Sequence, residues 1–162
     1  MKEEIISIET VVSKMLIENN LTISTAESCT GGLVSATLIN YPGISSVFIE
    51  GCVTYSNESK INRLGVNPNT LKIHGAVSEE TAREMAEGIA KNFDTNVAIS
   101  TTGIAGPDGG TIDKPVGLVY IGIYINGKTT VNKYILNGNR EDIRLRATKK
   151  AINDLRLRLL EL

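Results

Sequence analysis

The stretch Ser24–Leu33, STAESCTGGL, sets an acidic residue, a serine, a cysteine and a threonine in a row ahead of two glycines. Alternation in NLTIS before it predicts a strand, and LVSATLIN after it predicts a helix. Small polar residues at such a turn have two uses. Ser28 or Thr30 can cap the helix through a side-chain oxygen. The turn also leaves backbone N–H groups without helical partners, so Ser28 can act as a nucleophile beside donors from Cys29, Thr30, Gly31 and Gly32 that hold an oxyanion. Gly31 and Gly32, lacking side chains, would let a substrate approach the backbone. Cys29 is a rival nucleophile, or simply a packed thiol.

A serine nucleophile needs a base. The chain has one histidine, His74 in KIHGAVS, and a Ser–His–Asp arrangement would have to use it. The other candidate is Lys60 in VTYSNESK, at the start of a predicted helix, with Tyr55 at the end of the strand before it. To act near neutrality Lys60 must fall from ~10.4 to about 7, roughly 4 kcal/mol, which buried lysines reach. Spacing alone equally allows a solvated helix lysine, and NESK is not the S-x-x-K of penicillin-binding enzymes. Tyr55 would relay the proton or hydrogen-bond the amine.

Two further groups are candidates for binding. The loop TTGIAGPDGG offers Thr102, Gly103, Ala105, Gly106, Gly109 and Gly110, whose backbone can approach a ligand closely. It lacks the ending of a P-loop and the spacing of a dinucleotide fingerprint. Arg140 and Arg144 stand one turn apart in GNREDIR, where they can grip a phosphate or pair with Glu141 and Asp142 on a solvated face. Asp108, Asp113, the lone His74 and the separated Cys29 and Cys52 form no metal-ligand pattern, so neither a metal nor another cofactor is expected.

The elements that must position these groups follow from periodicity. Ile5, Ile8, Val12, Met15 and Leu16 fall on one face of an opening helix that ends at Asn19-Asn20. A strand is predicted over 21–25, a helix over 31–40 and a strand over 48–55, and a short helix stops at Gly65. Residues 66–78 read as irregular, with at most one helical turn. Ser78 caps a helix whose buried face is Ala82, Met85, Ala86, Ile89 and Phe93. NVAIST is the next strand, and Asn126-Gly127 marks a hairpin between VGLVYIGIYI and KTTVNKYIL. A last helix starts near Asn139 and runs to the end, with Ile143, Ala147, Ala151, Leu155 and Leu159 at core spacing. Early alternation and a late hairpin predict an α/β fold with helices on both faces of a mixed five- or six-stranded sheet.

The chain of 162 residues, 41% hydrophobic, is long enough to bury roughly 70% of its unfolded surface around one core, and one domain over 1–162 is expected. A net charge of -1 and 4% aromatic residues without tryptophan argue against a nucleic-acid partner. No apolar run approaches the ~18 residues of a membrane span. MKEEIISIET is unlike a signal peptide, so the cytoplasm and reduced thiols are expected.

In this order TAESCTGG, VTYSNESK, HGAVSEE, TGIAGPDGG, KPVGLVYIG and GNREDIR resemble the CinA C-terminal domain family over about residues 5–160. The resemblance implies a three-layer α/β/α domain that forms homodimers or larger assemblies. It implies a nicotinamide-nucleotide amidase that converts nicotinamide mononucleotide to nicotinate mononucleotide and ammonia in pyridine-nucleotide salvage. It favours Ser28 as nucleophile and Lys60, assisted by Tyr55, over His74 as base. The 103–110 loop would then embrace pyridine and ribose, and Arg140 or Arg144 the 5′-phosphate. Thr102 stands where many relatives have serine, and the hydroxyl is kept. Longer members carry an additional N-terminal nucleotide-hydrolase-like domain not seen in this sequence, whose activity does not carry over. A nucleotide-sensing or competence- or repair-associated binding module, and an amidase for another small carboxamide, are the alternative readings.

Overall fold

The computed structural model describes residues 6–162, so Ile5 lies outside the described residues. Five strands, β1 (Ile23–Glu27), β2 (Phe48–Val53), β3 (Val97–Gly103), β4 (Leu118–Ile125) and β5 (Lys128–Ile135), form one sheet in the order β2-β1-β3-β4-β5. β1 pairs in parallel with β2 and β3, whereas β3–β4 and β4–β5 are antiparallel. The sheet is therefore mixed, and five strands decide between the two expected counts.

Among the described residues six α-helices cover it: α1 (Ile8–Glu18), α2 (Leu33–Ile39), α3 (Asn57–Leu64), α4 (Pro68–His74), α5 (Glu79–Phe93) and α6 (Arg140–Leu159). Two separate apolar clusters define the layers. On one face Val12 and Leu16 of α1, Val34 and Leu38 of α2, and Ile143, Ala147, Ala151 and Leu155 of α6 pack on Ile23, Ile99 and Ile121. On the other, Leu64, Leu71, Met85 and Ile89 from α3, α4 and α5 pack on Ala26, Cys52 and Ala98. Each fully buried aliphatic side chain contributes about 1.5–3 kcal/mol to folding. None of the helices among the described residues is long and apolar enough to cross a membrane.

Several local expectations hold and several shift. Ser78 accepts from the Thr81 N–H at the start of α5, and Asn139 and Asp142 form a reciprocal capping box at the start of α6. Asn126 and Gly127 both take positive φ, 45° and 90°, as a tight twisted hairpin requires. Residues 66–78 are less irregular than expected: Asn67 caps a helix with Pro68 in its first turn, where the missing N–H costs nothing. Phe93 is 37% exposed rather than buried, because α5 ends there at a left-handed Asp94. The helix expected from Gly31 starts only at Leu33, since Gly31 and Gly32 take φ of 59° and 100° and cannot belong to it.

The parallel half of this sheet matters for function. β1, β2 and β3 point the same way, so their carboxyl ends open on one edge, the edge where α/β sheets place their ligands. Ser28 follows β1, Thr54 and Tyr55 follow β2, and Thr102 and Gly103 close β3.

Candidate active site

That edge carries a cavity of about 260 Å³, lined by Ser28, Tyr55, Lys60, Thr102, Gly106 and Arg140, together with Cys29, Ala76, Val77, Gly103, Ile104, Ala105, Asp108 and Gly109. Ser28 is 8% exposed, and its N–H donates to the Thr101 carbonyl, which fixes it to the end of β3. Lys60 stands in the first turns of α3, a helix capped by Ser56, and is 1% exposed. Its Nζ lies 3.1 Å from Ser28 Oγ, 2.8 Å from the Thr54 carbonyl oxygen and 3.3 Å from that of Tyr55.

The electrostatics of this lysine decide what it can do. Burial lowers Lys60 from its ordinary 10.5 to about 8, a fall that Cys29 would oppose only as a thiolate. Its partners are neutral oxygens. As an ammonium it donates to all three. As an amine it keeps two hydrogens for the two carbonyls, and its lone pair is left for the hydroxyl hydrogen of Ser28. The arrangement therefore accepts a proton from serine without rearranging.

The turn after Ser28 differs from what spacing implied. Neither Ser28 nor Thr30 caps α2. Glu27, fully buried at the end of β1, accepts from the N–H of Val34 at 2.7 Å and of Ser35 at 3.2 Å, and from the hydroxyls of Ser35 and Thr30. A carboxylate at a helix N-terminus also meets the positive end of the helix dipole. The Gly31 N–H is spent on the Ser28 carbonyl, so it is no free oxyanion donor. Among the described residues the N–H groups of Cys29, Thr30 and Gly32 have no backbone acceptor. Nor do the glycines clear a path for substrate: a Cβ on Gly31 would stand 3.1 Å from the Arg144 guanidinium, and one on Gly32 would touch Val53.

Cys29 carries no nucleophile. Burial pushes its thiol up to about 12, with the Glu27 charge adding to the rise, so the reactive thiolate is absent near neutrality. His74 lies outside the cavity, half-exposed at the end of α4, with Nδ1 3.4 Å from Glu80. Tyr55 is brought to the cavity, but its side chain does not meet Lys60. Its carbonyl does, while its hydroxyl, on a 63% exposed ring, accepts from Arg140 at 3.0 Å.

The two arginines separate. Arg140 reaches over the cavity, donating also to the Gly106 carbonyl at 2.7 Å. Arg144 does not line it: Nε donates to the Cys29 carbonyl and Nη2 to the Thr30 carbonyl, both at 3.1 Å. In the glycine-rich loop Gly103, Ala105, Gly106 and Gly109 line the cavity and Gly110 does not. A Cβ on Gly106 or Gly110 would collide with Val116, so these glycines let the loop fold on itself. Thr102 lines the wall, its hydroxyl donating to the Ala76 carbonyl at 2.7 Å. No group of three or more His, Cys, Asp and Glu among the described residues could hold a metal ion.

The sequence expectations did not include Glu27 or the Ala76–Val77 wall, and weighed Asp108 only as a metal ligand. Glu27 had a signal, an acidic side chain at the last strand position before a turn. Ala76 and Val77 had none, because apolar residues in an irregular segment say nothing of which cavity they face.

Comparison with known proteins agrees in sequence and in fold. Residues 5–159 match the model of the CinA C-terminal domain. The chain is 67% identical over 153 residues to a Clostridioides difficile protein described as competence-damage inducible, and 63% identical to a Clostridium beijerinckii protein of the same description. These alignments cover 94% of this chain and 37% of each relative, so the chain spans little more than a third of their length. Among solved structures, a CinA-superfamily protein from Klebsiella pneumoniae superposes with a TM-score of 0.92 at 34% identity, covering 96% of this chain and 97% of that one. The competence/damage inducible protein CihA from Agrobacterium tumefaciens gives 0.88 at 38% identity, covering 98% and 99%. A mixed five-stranded sheet between two helical layers, together with a family match over residues 5–159, thus identifies the chain as a member of the CinA family through its C-terminal domain.

Proposed function

We propose that this chain is a serine amidohydrolase that converts nicotinamide mononucleotide to nicotinate mononucleotide and ammonia. The observation that carries the reading is the Ser28–Lys60 pair, 3.1 Å apart, with the lysine buried, unpaired with any carboxylate among the described residues and lowered to about 8. With that value about one molecule in ten holds the neutral amine at pH 7, enough for a base.

In acylation Ser28 Oγ forms a bond to the carboxamide carbon while its proton passes to Lys60 Nζ. The carbonyl oxygen takes the negative charge and is met by the unspent N–H groups of Cys29 and Thr30. As the C–N bond breaks, Lys60 returns the proton to the departing nitrogen, which leaves as ammonia. Water then attacks the ester carbon and gives one proton to Lys60, the carbon–Oγ bond breaks as Lys60 returns that proton to Ser28, and the acid so formed releases its remaining proton to solvent as nicotinate. Thr54 and Tyr55 carbonyls hold the amine in register throughout. Arg140, which lines the cavity, supplies the cation for the phosphate.

Ammonia release from nicotinamide mononucleotide, measured for the wild type and for Ser28→Ala, tests the reading. Release should fall at least a thousandfold in the variant, the scale on which lost nucleophiles are felt. A wild type that binds the nucleotide yet releases no ammonia would instead mark a binding module, and release from other carboxamides but not this one would mark a different amidase.

A further inference from the structure

The strongest unassigned feature is the place of Arg144. It stands on α6, 115 positions from Cys29 in the chain, yet its guanidinium donates to two successive carbonyls of the turn behind Ser28. The turn is shaped to receive it. Gly31, at φ 59°, is where a Cβ would crowd Nη2 at 3.1 Å, so the glycine provides the conformation and leaves room for the arginine. The Thr30 side chain goes the other way, its hydroxyl bonded to Glu27 at 2.6 Å and adjoining Thr101 at 2.7 Å.

Peptide geometry gives this contact a consequence. In a trans peptide the carbonyl and the following N–H point in opposite directions. Arg144 Nε draws on the Cys29 carbonyl, so the N–H of the same peptide, that of Thr30, is directed away from the guanidinium and is made more acidic by it. That N–H has no backbone acceptor among the described residues. The neighbouring peptide, whose carbonyl also meets Arg144, spends its N–H on the Ser28 carbonyl and so ties the turn to the nucleophile.

We infer that Arg144 is a positioning residue for the amidase reaction, a fixed positive charge behind the oxyanion donors that orients and polarises the Thr30 N–H. The arginine proposed from its spacing to bind phosphate acts instead from the side of the turn away from the substrate. This rests on the serine-nucleophile reading, and it assigns a charge to stabilise negative oxygen in the transition state without touching the substrate.

The test uses a probe that needs an activated serine but not the natural substrate. A fluorophosphonate forms a bond from Ser28 Oγ to phosphorus and loses fluoride, the serine proton leaving with it through Lys60, and intact mass counts the adduct. Labelling rates are measured across pH for wild type and for Arg144→Lys, Arg144→Gln and Arg144→Met, with circular dichroism for fold. Removing a whole oxyanion donor costs about 10²–10³ in rate, so weakening one should cost about tenfold. The expected result is Arg144→Lys within about threefold of wild type, Arg144→Gln and Arg144→Met at least tenfold slower, and an unchanged midpoint of the pH profile. Arg144→Gln as fast as Arg144→Lys means a neutral tether suffices and overturns the inference. So does Arg144→Lys as slow as Arg144→Met, or a set of rates all alike. A wild type that takes no label at Ser28 sinks the nucleophile reading itself, a separate failure.

Discussion

Replacing Lys60 by methionine should change how stability depends on pH more than it changes stability at neutrality. Burial lowers Lys60 from 10.5 to about 8 in the folded protein, while the unfolded chain keeps the ordinary value. Below pH 8 both states hold the proton, and the folded state bears a buried ammonium. Between 8 and 10.5 the folded lysine has lost its proton and the unfolded one has not, so wild-type stability rises with pH across that window and levels off above it. Each unit is about 1.4 kcal/mol, which makes the full rise about 3 kcal/mol, most of it gained by pH 10. Methionine removes this gain at high pH. It also strands the Thr54 and Tyr55 carbonyls and the Ser28 hydroxyl, at about 1–3 kcal/mol, a loss offset near pH 7 by relief of the buried charge. The two proteins should therefore unfold at similar urea concentrations at pH 7 and diverge in the wild type's favour by pH 10. With an m-value of roughly 2 kcal/mol per M, the gap between midpoints should widen by about 1 M. Midpoints that move in parallel from pH 7 to 10 would refute the claim that Lys60 is buried with a lowered pKa.

On the proposed mechanism the same lysine should set the pH dependence of turnover. kcat/KM for ammonia release should climb about tenfold per pH unit on the acid side and flatten near pH 8, because only the neutral amine accepts the serine proton. A rate already level at pH 6 removes Lys60 as the base. Glu27→Gln should lower stability by about 1.5–3 kcal/mol, since an amide NH2 would face the Ser35 donors now met by a carboxylate. A thermal midpoint equal to that of wild type would show that this carboxylate does not hold α2.

Much of this was legible because local chemistry and global fold agree. The 3.6-residue spacing of Ile143, Ala147, Ala151 and Leu155 is the buried stripe of α6, and Asn126-Gly127 is the hairpin its backbone demands. Ser28 and Lys60 were found one at a time, each at a strand-to-helix turn, and parallel pairing of β1 with β2 brings those turns together. What failed to read out was direction. Gly31 and Gly32 look like an opening for substrate, yet Arg144 and Val53 occupy that side, and nothing in GNREDIR reveals that its second arginine turns inward by one helical turn. Tyr55 misled similarly: it reaches the cavity, but its carbonyl rather than its hydroxyl meets Lys60, a distinction set by where the chain leaves β2. α4 was read as at most one turn because Leu71 alone marks its buried face, whereas α2, of the same length, shows Val34 and Leu38 four apart.

The stranding of two opposite charges explains why this edge can be basic at all. Glu27 adjoins Ser28 in sequence and Lys60 adjoins it in space, both are buried, and among the described residues no ion pair joins them. A carboxylate within about 4 Å of the lysine would hold its proton and leave serine without a base. Glu27 is kept away by being fully used: two backbone N–H groups of α2 and two hydroxyls engage its oxygens. Lys60 receives carbonyls in place of a counter-ion, and carbonyl dipoles satisfy hydrogens while exerting less pull on a proton than a full negative charge would. The helix is stabilised by the acid, and the lysine is left destabilised where a low pKa is useful. Pairing the two would raise the lysine's pKa and remove the proposed base, and the Val34 and Ser35 N–H groups at the start of α2 hold Glu27 instead.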